Sequence, residues 1–199
     1  MAGTGWTSMG APSKTDTRMT AEAFMTWYDM QPDGPRYELL DGAVHKAEAE
    51  RLIHARTKAR VHDQFIRQIE ARHLPCEALP DGMAIHIDEE TVFEPDALVR
   101  CGPPLPDDAT LIADPLIVVE VASPSTQRID AVVKFTRYFR NPSIVHYLIV
   151  IPTARSVIHH ARAVDGRIVS VGYEGGSVRL EPPGLDLDLA DLFPVESAA

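Results

Sequence analysis

The chain has 199 residues, of which 45% are hydrophobic and 24% charged, and it carries a net charge of −10. These values suit one soluble globular domain and exclude a membrane anchor, since no run approaches the ~20 apolar residues of a bilayer span. They also exclude a protein that coats nucleic acid through a general excess of Lys and Arg. They leave room for a nuclease with a carboxylate-rich centre and a local basic rim.

Residues 1–18, rich in Gly, Ser, Thr and Ala, lack the apolar stretch of a secretory signal and are expected to be a disordered extension. One domain is expected over residues 19–195, in the cytoplasm. Met19-Thr20-Ala21-Glu22 reads as a helix start with Thr20 as N-cap, which makes Met19 a candidate alternative start of translation. The first helix, Ala21–Met30, places Phe24, Trp27 and Tyr28 on one side and ends before Pro32-Asp33-Gly34-Pro35. Tyr37–Leu40 and Ala43–His45 flank Asp41-Gly42 as a β-hairpin. A long helix over Glu48–Arg72 follows, with Leu52, Ala55, Ala59, His62, Ile66 and Ile69 as its apolar stripe. Arg51, Arg56, Lys58, Arg60, Arg67 and Arg72 give that helix a basic character able to meet phosphates.

Strands are predicted over Glu77–Leu79, Ala84–Ile87, Asp96–Cys101, Leu116–Ala122 and His146–Ile151. A helix near Gln127–Arg140 makes the last two a strand-helix-strand crossover. Val157–Ala161, Ile168–Val171 and Val178–Leu180 read as a closing antiparallel meander, and Leu189–Phe193 as a final helical turn. The fold class is therefore α/β, a mixed sheet flanked by helices with an N-terminal hairpin and a C-terminal meander. Cys76 and Cys101 fit neither a zinc spacing nor a CxxC redox pair, so buried reduced thiols are expected.

The most informative residue is Glu120, a lone carboxylate in the apolar run Leu116–Ala122. Burying it unpaired would cost several kcal/mol or more, so it needs a cation, a metal or a proton. Asp96, opening a neighbouring strand, is the natural second acid. Side chains alternate along a strand, so Glu120 faces with Val118 toward whatever covers that side; the following helix carries Lys134, with Asp130 and Tyr138 at four-residue spacing. Two carboxylates from adjacent strands can hold Mg²⁺ (Mn²⁺ as substitute), and a nearby lysine can orient or deprotonate water or neutralise the transition state. This equipment suffices to hydrolyse a phosphodiester.

The chain resembles the Uma-type restriction endonuclease family, long catalogued as a domain of unknown function, within the PD-(D/E)XK nuclease superfamily. The resemblance rests on Tyr37-Glu38-Leu39-Leu40-Asp41-Gly42, on Glu94-Pro95-Asp96, on Val118-Val119-Glu120-Val121-Ala122-Ser123-Pro124-Ser125-Thr126, and on Asp130, Lys134 and Tyr138. It implies a restriction-endonuclease-like core and Mg²⁺-dependent DNA cleavage, with Asp96 and Glu120 as the metal-binding acids and Glu38 as a further acid. The superfamily places its lysine two residues after the second acid, where this chain has Ala122; Lys134 on the next helix takes that role.

Plainer readings stand beside these. Glu120 and Lys134 could form a structural ion pair, and the whole could be a catalytically silent binding or interaction module with a nuclease fold. Ser123 and Ser125 suit a turn and helix N-cap better than a phosphate site, and Tyr138 suits the core. His54 and His62 read as core or solvated residues rather than substrate contacts, and His159 and His160 point to opposite sides of one strand. Cutting both strands of a duplex would suit a homodimer.

Overall fold

The computed structural model describes residues 18–31, 36–46, 50–122 and 130–194, the side chains of 130–132 excepted. The expected extension, apart from Arg18, and Ser123–Thr126 lie outside these residues.

Helix α1 (Ala21–Asp29) starts where the sequence indicates, with the Thr20 hydroxyl accepting from the Ala23 N–H at 3.2 Å. Strands β1 (Tyr37–Leu40) and β2 (Ala43–Lys46) form the expected hairpin. Its turn residues Asp41 and Gly42 both have positive φ, 48° and 77°, the conformation that matches strand twist in two-residue hairpins. At Gly42 a Cβ would also lie 2.6 Å from the Arg18 Cβ.

Helix α2 (Leu52–Arg72) precedes strands β3 (Cys76–Pro80), β4 (Ala84–Asp88), β5 (Thr91–Phe93), β6 (Ala97–Cys101), β7 (Leu111–Ile112) and β8 (Pro115–Val121). Helix α3 (Asp130–Tyr138) then leads to β9 (His146–Ile151), β10 (Ser156–Arg162), β11 (Ile168–Tyr173), β12 (Ser177–Leu180), β13 (Leu185–Asp188) and helix α4 (Leu189–Leu192). One sheet has the order β2-β1-β5-β4-β7 and a second β11-β10-β9-β8-β6-β3. In the second, β8 and β9 are parallel, as the crossover through α3 requires, and the other pairs are antiparallel.

The second sheet is covered on both faces, which explains why β8 reads as a nearly continuous apolar run. On one face, Val61, Phe65 and Ile69 of α2 pack with Val99, Val119 and Val150. On the other, Tyr138 packs with Leu98, Val118 and Tyr147, and the cluster extends to Ile85, Phe93 and Ile112 of the first sheet. Phe24 of α1 closes on Leu39 and Val92.

Four expectations need correction. The meander ends at β11: β12 pairs with β13 in a separate two-stranded sheet whose Val178, Leu180, Leu185 and Leu187 pack with the α2 face. The buried stripe of α2 is His54, Thr57, Lys58, Val61, Phe65 and Ile69, and Leu52 is exposed. Polar residues on the true stripe made a neighbouring stripe look more apolar. The basic character of α2 is largely consumed within the protein: Lys58 is buried among carboxylates, Arg60 bonds the Leu192 carbonyl, Arg67 pairs with Asp63, and Arg72 pairs with Asp186. Finally, Cys76 and Cys101 are register partners in β3 and β6 and form a disulfide with Cα atoms 3.9 Å apart. Antiparallel pairing brings together two residues 25 apart in sequence. Among the described residues, no helix is long and apolar enough to cross a membrane.

Candidate active site

The antiparallel pairing of β6 and β8 sets Ala97 opposite Val119, so Asp96 and Glu120 come opposite each other where β6 begins and β8 ends, in the interior of the sheet. Asp96 is stapled there twice. Its N–H donates to the Val119 carbonyl at 3.0 Å, and its Oδ2 accepts from the Val121 N–H at 2.6 Å.

Each acid is held by a lysine from a different helix. Lys134 of α3 donates to Glu120 Oε1 at 3.0 Å, the pairing the sequence offers for that acid, and also to Glu38 Oε1 at 2.8 Å, which joins the β1 hairpin to the end of β8. Its ammonium also lies 5.2 Å from the centre of the Phe93 ring. Tyr138, fully buried as expected of a core residue, additionally donates its hydroxyl to Glu120 Oε1. The amine paired with Asp96, however, is Lys58 of α2, at 2.8 Å from Oδ1. Lys58 also reaches Glu50 at 2.6 Å and Asp81 at 3.2 Å. Arg36 extends the network, bonding Asp81 at 2.9 Å and Glu94 at 3.4 Å, and the Glu94 N–H donates to Glu38 Oε1 at 3.1 Å.

Six carboxylates (Glu38, Glu50, Asp81, Glu94, Asp96 and Glu120) thus share three cations (Arg36, Lys58 and Lys134). The excess of negative charge shows in protonation. Glu120 is pushed up to about 7, first by burial and then by Asp96 and Glu38, against the opposing pull of Lys134. Burial works against the charge on Lys58, yet Asp96, Glu50 and Asp81 outweigh it and lift the amine to about 12. Lys134 is likewise held well above its ordinary value by Glu120 and Glu38 despite burial.

No three His, Cys, Asp or Glu side chains among the described residues are arranged to hold a metal ion. Asp96 and Glu120 still suit a hard divalent cation, because Mg²⁺ is commonly bound by one or two carboxylates, with water and phosphate completing its shell. The uncompensated negative charge favours such a cation.

The sequence points to Lys58 only as part of a basic helix and to Glu94 only within the Glu94-Pro95-Asp96 motif, and it does not single out Arg36, Asp81 or Glu50. Lys58 carried a signal of the same kind as Glu120, a charge on a buried stripe, spaced i, i+4 from His54. His54 itself is buried, and its Nε2 has no partner among the described residues. His62 bonds the Ala78 carbonyl. His159 and His160 do point apart, bonding His146 and Ser170 respectively.

Comparison with known proteins places this geometry in context. The family model Uma2, described as "Putative restriction endonuclease", matches residues 21–195. An uncharacterised protein of Synechocystis sp. is 27% identical over 181 residues, spanning 90% of this chain and 93% of that protein. A crystal structure from Anabaena variabilis, described as a putative nuclease of DUF820, superposes with a TM-score of 0.71 at 14% identity. It covers 88% of this chain and 97% of its own, and shows a shared fold.

Proposed function

Because the chain belongs to the Uma2 family, we propose that it is a Mg²⁺-dependent DNA endonuclease of the PD-(D/E)XK type, with its centre at Asp96, Glu120, Lys134 and Glu38. The observation that carries this reading is the placing of Asp96 and Glu120 opposite each other at the adjoining ends of β6 and β8, each with its own lysine.

Asp96 and Glu120 would hold the ion. When bound, Mg²⁺ supplies charge stabilisation at the attacked phosphate and a more acidic water. The Val121 N–H and Lys58 orient Asp96, so that a carboxylate lone pair is directed by fixed donors rather than by solvent. Lys134, gripped by two carboxylates, carries its proton and acts as a charged donor toward the phosphate, the role in which fixed electrostatics contribute most. Glu38 positions Lys134. Water attacks phosphorus and gives up a proton to solvent, the P–O3′ bond breaks, and the leaving oxygen takes up a proton from solvent, so one proton passes from the water to the 3′ oxygen. A homodimer would bring two such centres to the two strands of a duplex.

Plasmid nicking by purified protein with Mg²⁺ or Mn²⁺ tests the reading: Asp96→Ala, Glu120→Ala and Lys134→Ala should each abolish divalent-dependent cleavage. Unchanged cleavage in all three would sink the assignment. A second reading, a silent nuclease-fold module, takes its support from Lys58 occupying an oxygen of Asp96. Absence of Mg²⁺ and Mn²⁺ binding at millimolar concentration by calorimetry would favour it.

A further inference from the structure

Strand β11 closes one end of the six-stranded sheet, and its outer side has no neighbouring strand among the described residues. The ladder determines which of its backbone groups are free. The Ala163 N–H donates to the Arg167 carbonyl at 2.8 Å, and the Arg162 N–H donates to the Val145 carbonyl, on the β9 side, at 2.8 Å. Polar groups alternate sides along an antiparallel strand, so those of Val169, Val171 and Tyr173 face β10. The N–H and C=O of Ile168, Ser170 and Gly172 therefore point away from the sheet.

β11 lacks the usual protection of a sheet end, where short length, charge, proline or a bulge blunts the edge. The other ends of the two large sheets have it: β7 has two residues, β2 carries His45 and Lys46, and β3 carries Glu77 and ends at Pro80. β11 runs six residues without a charge or a register shift. On one face, Val169 and Val171 are 52% and 43% exposed.

The strand is complementary to itself. Two antiparallel copies related by a two-fold axis perpendicular to the sheet must set one residue opposite its own copy, because opposed side chains share a face. Centring on Ser170 is the register that pairs all three outward-facing residues within the strand, Ile168 with Gly172 and Ser170 with itself. The same register sets Val169 against Val171 of the second copy and Arg167 against its Tyr173. Branched pairs and a guanidinium beside a ring both favour that pairing, and no like charges oppose each other. We propose that β11 is the contact between two copies of this chain, which join across a two-fold axis at Ser170 into one continuous sheet. The contact stands three strands from Glu120 on β8, and its test requires no cleavage.

Sedimentation equilibrium of the full chain at micromolar concentrations should give twice the chain mass. Val169→Lys/Val171→Lys should weaken association by on the order of a hundredfold with unchanged circular dichroism, since it brings ammonium groups together in place of valines. Val169→Glu/Val171→Lys, in which each glutamate meets a lysine of the second copy, should recover the dimer. Crosslinking reads the register directly and decides even where the lysine variant fails to fold. Ser170→Cys introduces the only free thiol, because Cys76 and Cys101 are bonded to each other. In the proposed register its two copies have Cα atoms about 5.5 Å apart, within reach of a disulfide, whereas a slip of the axis to a neighbouring residue separates them by about 8–9 Å. An added disulfide oxidant should therefore link Ser170→Cys on the order of tenfold or more faster than Val164→Cys, exposed in the turn before β11. A wild-type protein that stays monomeric, a dimer that survives the double-lysine change, or equal crosslinking at 170 and 164 would each overturn the proposal.

Discussion

His146 and His159 form a buried pair whose protonation can be worked out from geometry. His146 Nε2 lies 2.9 Å from the Pro182 carbonyl, which can only accept, so that nitrogen carries the hydrogen. His146 Nδ1 is then the acceptor for His159 Nε2–H, also at 2.9 Å. Both rings are neutral. Burial first, then His146 and His160, hold His159 down at about 4, against 6.5 for the free side chain. Between those values the unfolded chain binds a proton that the folded chain refuses, so stability is full above pH 6.5 and is lost as pH falls toward 4. Across that window the loss is roughly 3 kcal/mol, and about 2.5 kcal/mol of it is reached by pH 4.5. Glu120 acts in the opposite sense: its folded value, raised to about 7, adds stability as pH falls toward 4.5. The contribution of His159 is therefore visible only as a difference between proteins. Urea unfolding followed by circular dichroism at pH 7.5 and 4.5 should show the wild type losing its advantage over His159→Gln, whose amide keeps a donor without titrating. With an m-value of ~2–3 kcal/mol/M, the relative midpoint should move by about 1 M. Equal differences between the two proteins at both pH values would refute the tautomer and burial argument.

Lys58→Met should cost about 3–5 kcal/mol in urea unfolding by stranding Asp96, Glu50 and Asp81, and adding Asp96→Asn should restore part of that loss. Gly42→Ala should lower stability by about 1–3 kcal/mol, read as a drop in melting temperature, since its φ is 77° and a Cβ would meet Arg18. Dithiothreitol should lower the wild-type urea midpoint by the equivalent of about 3 kcal/mol, the scale for a crosslink spanning 25 residues, and leave Cys76→Ser/Cys101→Ser unaffected.

Elements whose period or turn chemistry acts locally were legible in the sequence. The Asp41-Gly42 hairpin, the Thr20 cap and strand β9 all appear where their residues indicate. Strands β5 and β7, three and two residues long, carry too little alternation to be read, and they exist because neighbouring strands complete their ladders. Half of the candidate site was legible by energy: an acid in an apolar strand demanded a partner, and Lys134 supplies it. The other half was hidden by helical phase. One residue's slip in the α2 stripe moved Lys58 from the core-facing side to the basic side, and with it went the Asp96 partner. The disulfide depends on strand register, which no spacing between Cys76 and Cys101 encodes.

The crowding of Glu120 has an evolutionary consequence. A carboxyl that burial and two neighbouring acids drive toward its neutral form is a site where an amide of the same shape would relieve the fold. Glu120→Gln should therefore unfold at a higher urea concentration than the wild type near pH 8, while Lys134→Ala should unfold earlier. Selection for robustness alone would drift this chain toward glutamine at 120, and selection for a working acid would resist that drift. With the proposed nuclease role, position 120 is where the stability of this fold and that chemistry pull in opposite directions.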